Sequence, residues 1–571
     1  VTTDTPTVTR NGLTRLDDIL LLGIMGILAA CGLIYEYLLS HYAGRILGAL
    51  EAAIYTMIGL MIVSMGFGAF AARKIKSAFD GFARLELSVA LLGSLAILIT
   101  AAVIGFGHEL PKLIAQTMEL PPDQLPDGGF IGKFQSVAVY LPYVWGVLLG
   151  LMIGMEIPLI ARVRQALSDE HLLHNAGTIY GADYIGAGIG AAIWVAFMLA
   201  LDTQLAAALT AGFNLLAGLL FILRFRERIL HANWLLAGHL LATGLLLLLA
   251  IKGPIWEQSF NNLLYKDNVI YSKATRFQQL TFTERLMGNH LPPVYSMYIN
   301  GRLQFSSIDE HIYHAYLVHP VLAASARHDK VLVIGGGDGL ALRQIYKWQP
   351  QQVTLLDLDK EVVTLFKNPP SEMPKRLAHA LLALNGNAFN DPRVQVMFND
   401  AFNGVDTLIQ QGRKYDAIIV DLPDPSHPDL NKLYSDLFYR KLAQLLSADG
   451  AIGIQSTSPY HATKAFISIG KTLALAGFKV DQYHHNVPSF GEWGWSIGTL
   501  TGKDARSRLQ TLQTLPVDDD WLTPGLIRAA FEFPKNFYSK NDQVQANTIG
   551  SLQLYHYHLQ AWSDSQGVAT F

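Results

Sequence analysis

The sequence predicts two architectures in series. An N-terminal all-α transmembrane bundle of about seven helices is followed by a C-terminal α/β Rossmann-like domain with a small antiparallel β lobe. Three observations carry this. Seven long apolar runs fill the first half, strands and helices alternate in the second, and a glycine-rich turn, "VLVIGGGDGLALRQIYKW", opens that alternation. With 571 residues, more than one domain is expected. A composition 51% hydrophobic and 16% charged is too apolar for an ordinary soluble enzyme and too polar for a pure membrane bundle. The expected segments are an N-terminal tail (1–17), a transmembrane domain (18–252), a β lobe (264–308), the Rossmann-like domain (309–502) and a C-terminal extension (503–571). A net charge of -3 gives no general attraction to nucleic acid. Cys31 is the single cysteine, which excludes a disulfide framework and a cysteine zinc site.

The bundle comes first. A bilayer crossing needs about 20 apolar residues. Ile19–Leu39, Ala52–Ala72, Leu87–Phe106, Val137–Ile160, Ile179–Leu201, Leu205–Leu223 and Trp234–Ile251 qualify. The opening residues lack the pattern of a cleaved signal, so the first run is expected to span and stay. Arg73, Lys74, Lys76 and Arg84 follow the second run, Arg162 and Arg164 the fourth, and Arg224, Arg226 and Arg228 the sixth. The opposite loops hold only Arg45, Lys112 and Lys133. By the positive-inside bias the chain starts in the cytoplasm, and seven crossings place the second half outside it. Glu36, Glu156 and Asp183 fall within spans. Charge at membrane depth is costly, so these acids are read either as a polar or cationic ligand site or as a structural hydrogen-bond cluster. Gly181, Gly186, Gly188 and Gly190 suit close helix packing. His239 reads as a satisfied packing histidine.

The second half begins with "NVIYSKATRFQQLTF" and "PVYSMYINGRLQFSS". Their alternation and the Asn300–Gly301 pair predict antiparallel strands with a hairpin. "KVLVIGGG", "QVTLLDLD", "RVQVMF", "DAIIVDL" and "GAIGIQS" then alternate with helical stretches, and "FKVDQYHH" and "GWSIGTLTG" form a closing pair. Such alternation predicts a doubly wound, mainly parallel sheet with its site at the carboxyl ends of the strands. The extension reads as a partly ordered cap. Its "YHYH" (Tyr555–His558) is read as exposed aromatic packing rather than a metal pair, since no third ligand is evident.

Gly335, Gly336 and Gly337 let a ligand approach the backbone, and the next helix offers its N-terminal amides. That alone suits a dinucleotide or an adenosylmethionine-type guest. Asp357, ~20 residues on, can accept both hydroxyls of a ribose. Asp338 sits where a pyrophosphate would be unwelcome, which favours a sulfonium nucleoside over NAD. Asp421 and Asp424, in "VDLPDP", lie just past a buried strand, where two acids can hold a cationic amine and take its proton.

These residues carry a resemblance. The stretch from about Leu264 to Gly502 resembles the spermidine synthases, the polyamine aminopropyltransferases, through "RFQQLTF", "DEHIYHAYLVHP", "VLVIGGGDGLALRQI", "LLDLD", "NDPRVQV", "NDAF", "YDAIIVDLPDP" and "LYSDLFY". With "GMEIP", "ADYIGA", "QSTSPY" and "NVPSFGEWGW", the whole chain is similar to the bacterial membrane-integrated branch of that family. The resemblance implies an adenosylmethionine-methyltransferase-type fold and transfer of the aminopropyl group of decarboxylated S-adenosylmethionine to an amine. Putrescine is the default acceptor, giving spermidine and 5'-methylthioadenosine. It implies that Gln278, Gly335, Gly336, Gly337, Asp338, Asp357, Asp400, Ala401 and Pro428 hold the donor. It also implies that Tyr313, His314, Asp424 and Trp493 line the acceptor's path and that Asp421 takes the proton. Trp493 and Trp495 suit cation–π contact with an amine or core packing.

Several positions depart from the family pattern. Asp357 stands for a glutamate, Asn399–Ala401 for "DDG", Ala315 for a glutamate and Phe490 for an acceptor-side tyrosine. The acceptor's identity is therefore open. No resident cofactor and no metal are expected, decarboxylated S-adenosylmethionine being a co-substrate. The expected partners are this donor, a small amine and the lipid bilayer, with a homodimer an open expectation. The expected location is the bacterial inner membrane, multi-pass. The side of the catalytic half stays open, because a cytoplasmic donor conflicts with the charge bias. Two other readings are a polyamine transporter or sensor with a synthase-like ligand-binding domain, and an S-adenosylmethionine-dependent methyltransferase. Asp338 and the Asp421–Asp424 loop weigh against the latter, since a methyltransferase must admit the donor's carboxylate.

Overall fold

A computed structural model describes residues 15–47, 50–118, 129–167, 175–288, 290–539 and 541–564. Most of the predicted N-terminal tail therefore lies outside the described residues. The chain divides into two compact units, Val1–Lys266 and Asp267–Phe571.

The first unit is helical: α1 (Arg15–Leu47), α2 (Leu50–Ala71), α3 (Ala78–Thr117), α4 (Gly129–Ala138), α5 (Leu141–Ile153), α6 (Glu156–Leu167), α7 (Asn175–Ala196), α8 (Thr203–Arg224) and α9 (Ala232–Asn262). Among the described residues, seven stretches are long and apolar enough to cross a membrane. The fourth, Leu141–Leu167, is interrupted where a continuous helix was expected. Pro158 explains the break. A proline ring clashes with the carbonyl four residues earlier, here Gly154, but is tolerated in a helix's first turn. A new helix therefore starts at Glu156. Gly154 also lies against α2, where a Cβ would come 2.1 Å from the Met65 carbonyl oxygen.

Of the four glycines predicted to pack helices, Gly186 and Gly190 do so. A Cβ on either would meet the carbonyl oxygens of Gly26 and Ala30 on α1, at 2.1 and 2.6 Å. Gly181 and Gly188 face open space. Arg164 binds Asp18 (Nε–Oδ1 2.8 Å) and Arg224 binds Asp17 (2.7 Å). Arg162 donates to the carbonyl of Ile75 at 2.8 Å. The start of α1, the segment after α2, α6 and the end of α8 thus meet at one end of this unit.

The second unit opens with an antiparallel sheet, β1 (Asn268–Ala274), β2 (Gln279–Arg285), β3 (Val294–Ile299) and β4 (Arg302–Ser306), in that order. Asn300 and Gly301 turn between β3 and β4 with φ of 50° and 80°, the left-handed pair that a two-residue hairpin requires. Next come α10 (Glu310–Ala324), β5 (Lys330–Gly335), α11 (Leu340–Tyr346), β6 (Gln352–Asp357), α12 (Lys360–Lys367), α13 (Lys375–Leu384), β7 (Val394–Phe398), α14 (Ala401–Gln410) and β8 (Tyr415–Asp421). They are followed by α15 (Pro428–Asn431), α16 (Asp436–Leu445), β9 (Leu446–Gln455), α17 (Thr463–Leu475), β10 (Lys479–Val487), β11 (Gly491–Thr499), α18 (Ala505–Gln510), α19 (Pro524–Ala529) and α20 (Gln553–Asp564).

The large sheet runs β10-β11-β9-β8-β5-β6-β7. Five adjacent strands, β9-β8-β5-β6-β7, are parallel, and β10 and β11 close one edge antiparallel. This is the methyltransferase-type arrangement that the resemblance implies. Alternation along β5 sends Val331 and Val333 into one core and Leu332 and Ile334 into the other, all fully buried. A strand covered on both faces must read as a continuous apolar run, as "VLVI" does.

Candidate active site

The site grows from the carboxyl edge of β5, β6 and β8. Gly335 pairs with Asp421 across β5 and β8, and Ile334 with Leu356 across β5 and β6. The order β8-β5-β6 puts a switch point beside β5, where open α/β sheets leave a crevice. The first glycine is required there. Gly335 has φ of 79°, and a Cβ would sit 2.1 Å from the Asp421 carbonyl oxygen. Gly337 yields room to Asp357, whose Oδ2 lies 2.8 Å from where a Cβ would be. The turn therefore lets Asp357 and Asp421 approach the same stretch of backbone.

Three carboxylates are perturbed here. Burial raises Asp338 to about 6, with His314 opposing and the charge of Asp421 adding to it. Its Oδ1 accepts from the Leu340 amide at 2.9 Å. Burial also raises Asp357 to about 6, against the Asp359 amide, which donates to Oδ1 at 2.8 Å. Asp421 is pushed up by burial too, against His314 and Tyr313. Like charges drawn together in a crevice disfavour ionisation and favour a cationic guest.

Consecutive residues of α10 supply the partners of Asp421. Tyr313 Oη donates to Asp421 Oδ1 at 2.8 Å, and His314 Nε2 lies 3.9 Å from Oδ2. The other ring nitrogen, His314 Nδ1, lies 2.8 Å from the Glu310 carbonyl oxygen and 2.9 Å from its Oε2. Arg343 of α11 grips both Glu310 oxygens, at 2.9 and 3.0 Å. Burial lowers the His314 pKa, but the Glu310 bond and the charges of Glu310, Asp421 and Asp338 outweigh it and raise it overall. Burial raises Glu310, yet His314 and Arg343 bring it below the usual carboxylate value. The sequence reading missed Glu310 and Arg343. The available signal was the spacing of Glu310 four residues before His314, which puts both on one face of a helix.

Asp424 is held differently. Gln455 Nε2 donates at 3.0 Å, Thr457 Oγ1 at 3.2 Å, and His558 Nε2 lies at 3.3 Å. Burial pushes Asp424 up, but His558, Gln455 and Arg302 hold it below its ordinary value. Thr457 has φ of 59°, strained for a β-branched residue, and such strain gathers at functional sites. His558 corrects the reading of "YHYH" as exposed packing. The residue is 1% exposed, on α20 of the extension. Asn547 fastens the extension, donating Nδ2 to the carbonyls of Asn431 and Tyr434, both at 3.1 Å. No local pattern announces this contact, because 134 residues separate His558 from Asp424.

The remaining predicted residues fall in two groups. Gln278 reaches the end of β6, but its Nε2 donates to Asp359 Oδ2 at 3.1 Å rather than to Asp357. Asp400 caps α14, accepting from the amides of Phe402 and Asn403, and binds Lys432 at 2.9 Å. Ala401 is buried at the start of α14, and Pro428 opens α15. Trp493 packs on Phe490, ring centroids 5.0 Å apart, and Phe490 meets the ring of Tyr313 at 6.0 Å. Trp493 Nε1 is buried without a partner. Trp495 is fully buried, stacked on Tyr316 and Tyr483 at 5.5 and 5.6 Å, which makes it a core residue.

Residues 310–510 match the family model described as spermine/spermidine synthase domain. Over 555 residues the chain is 76% identical to a polyamine aminopropyltransferase of Shewanella oneidensis, with 97% of each chain covered. The chain belongs to the polyamine aminopropyltransferase family. A second member, polyamine aminopropyltransferase 1 of Streptomyces coelicolor, is 32% identical over 559 residues, 96% of each chain. The crystal structure of a spermidine synthase in complex with the transition-state analogue AdoDATO aligns with a TM-score of 0.41 and 21% identity, covering 48% of this chain and 88% of that one. Both aminopropyltransferase relatives extend over the helical unit as well as the α/β unit. The matched synthase domain ends at residue 510, so His558 reaches Asp424 from beyond it.

Proposed function

We propose that the chain transfers the aminopropyl group of decarboxylated S-adenosylmethionine to a small amine, putrescine by default, and that its helical unit anchors it in the bacterial inner membrane. The carrying observation is the convergence of Tyr313 and His314 on Asp421, beside Asp338 and across the glycine turn. Asp357 and Gln278, with Asp400, Ala401 and Pro428, hold the nucleoside portion over Gly335–Gly337. Asp338 and Asp421 face the donor's aminopropyl ammonium. Tyr313, His314, Asp424 and Trp493 line the acceptor's path.

An amine is mostly protonated at neutral pH and attacks only after losing a proton. Asp421 takes that proton, its raised pKa making it a better base than an ordinary aspartate. The freed nitrogen pair forms the new N–C bond as the C–S bond breaks. That electron pair stays on sulfur, and neutral 5'-methylthioadenosine departs. The site's work is positioning and deprotonation, with no charge developing on the leaving group. Family membership favours neither the sensor nor the methyltransferase reading.

The test is mass spectrometry of the purified full chain with decarboxylated S-adenosylmethionine and a panel of amines. Release of methylthioadenosine with putrescine is expected, and no release with any amine would overturn the reading. A compartment-specific reporter fused after Phe571 decides the side of the membrane.

A further inference from the structure

We propose that the helical unit contains a second ligand site, for a protonated primary amine, formed by Tyr35, Glu86, Glu156, Asn214 and His239. The five residues come from five helices, α1, α3, α6, α8 and α9, and none exceeds 3% exposure. In the sequence Glu86 falls just before the run Leu87–Phe106, and Glu36 and Asp183 are the acids expected to accompany Glu156. The folded unit makes Glu86 and Glu156 the deeply buried acids, at 0% and 1% exposure, whereas Glu36 and Asp183 are partly exposed.

Contacts link Glu86, Asn214 and His239, and electrostatic interactions tie Tyr35 and Glu156 to them. Asn214 Nδ2 donates to Glu86 Oε2 at 2.9 Å. Gly218 marks the meeting of Glu86 and His239, since a Cβ there would lie 3.1 Å from Glu86 Cβ and 2.8 Å from His239 Nε2. The Tyr35 ring lies over Gly93 of α3, with its Oη 2.8 Å from where a Cβ would be. Glu156 interacts electrostatically with Glu86, and Tyr35 with both acids. The helix break at Gly154 delivers Glu156 as the first residue of α6.

The unsatisfied atoms define the guest. Glu86 Oε1, Glu156 Oε2, Asn214 Oδ1, His239 Nε2 and Tyr35 Oη are all buried without a hydrogen-bond partner. His239 Nδ1 lies 2.9 Å from the Leu235 carbonyl oxygen and so must carry the hydrogen, which leaves Nε2 an acceptor. With the carboxyl groups ionised, as a cationic guest would hold them, four of the five atoms accept, and two belong to carboxyl groups. Around Glu86, Asn214 and His239, which lie inside their helices, the backbone has already used its own N–H groups, so donors to their free atoms must come from elsewhere. An ammonium group brings three N–H donors and one positive charge. An alkali ion would answer the oxygens and leave the imidazole nitrogen unmet.

The test is equilibrium binding of radiolabelled putrescine to the full chain in nanodiscs, without donor. Glu156→Gln and Glu86→Gln are each expected to remove one bound putrescine per chain relative to wild type, while transfer to putrescine stays within about twofold. Tyr35→Phe, the mildest change, weakens that binding event about three- to tenfold and carries the test where a glutamine variant does not fold. Equal stoichiometry and affinity in wild type and Tyr35→Phe would overturn the proposal. So would full displacement by sodium chloride but not by methylammonium chloride at equal ionic strength. Because the readout is binding, its failure is distinct from a failure of catalysis.

Discussion

The acids gathered in the α/β site and those at the centre of the helical unit are held in different ways. In the α/β unit each acid of the site meets a donor from the fold. Asp338 takes the Leu340 amide, Asp357 the Asp359 amide, Asp421 the Tyr313 hydroxyl, and Asp424 the side chains of Gln455 and Thr457. In the helical unit Glu86 has only Asn214, and Glu156 Oε2 has nothing. For Asp338 and Asp357 the reason lies in backbone geometry. The carboxyl edge of a parallel sheet opens into turns and helix N-termini whose amides are free to bond, whereas a membrane-length helix consumes its amides internally. An acid at a sheet edge can be positioned by the fold alone. An acid in mid-bundle such as Glu86 depends on side chains or on a ligand, whereas Glu257 accepts from the Gln204 amide at the start of α8.

Removing the proposed base on the α/β side gives the largest expected effect. Asp421→Asn is expected to lower turnover by roughly 10²–10⁴-fold, the usual worth of a general base, while calorimetry still detects donor binding. Unchanged turnover would remove Asp421 from its role and blur the contrast between the units. Next comes the support behind it. Glu310→Gln weakens the hold on His314 and is expected to cost about tenfold in kcat, since hydrogen bonds to charged groups contribute about 1.5–3 kcal/mol. A positioning role also predicts a shifted acid limb of the pH–rate profile, which a purely structural role would leave in place. His558→Ala removes a partner of Asp424 from outside the synthase domain. It should raise the KM for the amine about tenfold with kcat within twofold.

The smallest effect is a pH dependence. Asp338 and Asp357 are raised to about 6 from an ordinary 3.8. Between those values the folded chain binds more protons than the unfolded one, so these groups make stability fall as pH rises from about 4 to about 6 and then level off. Thermal melts of the donor-free chain across that range should show the slope, and Asp338→Asn should reduce it. Donor affinity should run the other way, weakening as pH falls through about 6, because a neutral Asp338 no longer attracts the aminopropyl ammonium. A donor affinity flat across pH 5–7 would detach Asp338 from the donor.

Much of both units is legible locally. Apolar runs report long helices, "VLVI" a doubly covered strand, Asn300–Gly301 a hairpin, and Gly335–Gly337 a turn that a ligand can approach. Asp338, Asp357, Asp421 and Asp424 are visible because each sits at a strand end, and strand ends show in the alternation. Trp493 and Trp495 look equivalent in sequence, and packing alone made Trp495 core. Pro158 did signal the break in the fourth span, but a hydropathy window averages over it.

The sequence by itself determined the family, the order of the two architectures, and the carboxylates on the sheet edge, since each rests on residues close together in the chain. Tertiary structure alone decided which distant groups meet. Glu310 with Arg343, His558 with Asp424, and Glu86 with Asn214 and His239 are pairings across 33, 134 and more than a hundred residues. Periodicity and turn chemistry act over a few residues, whereas a hydrogen bond between remote side chains exists only once the packed core has fixed both ends.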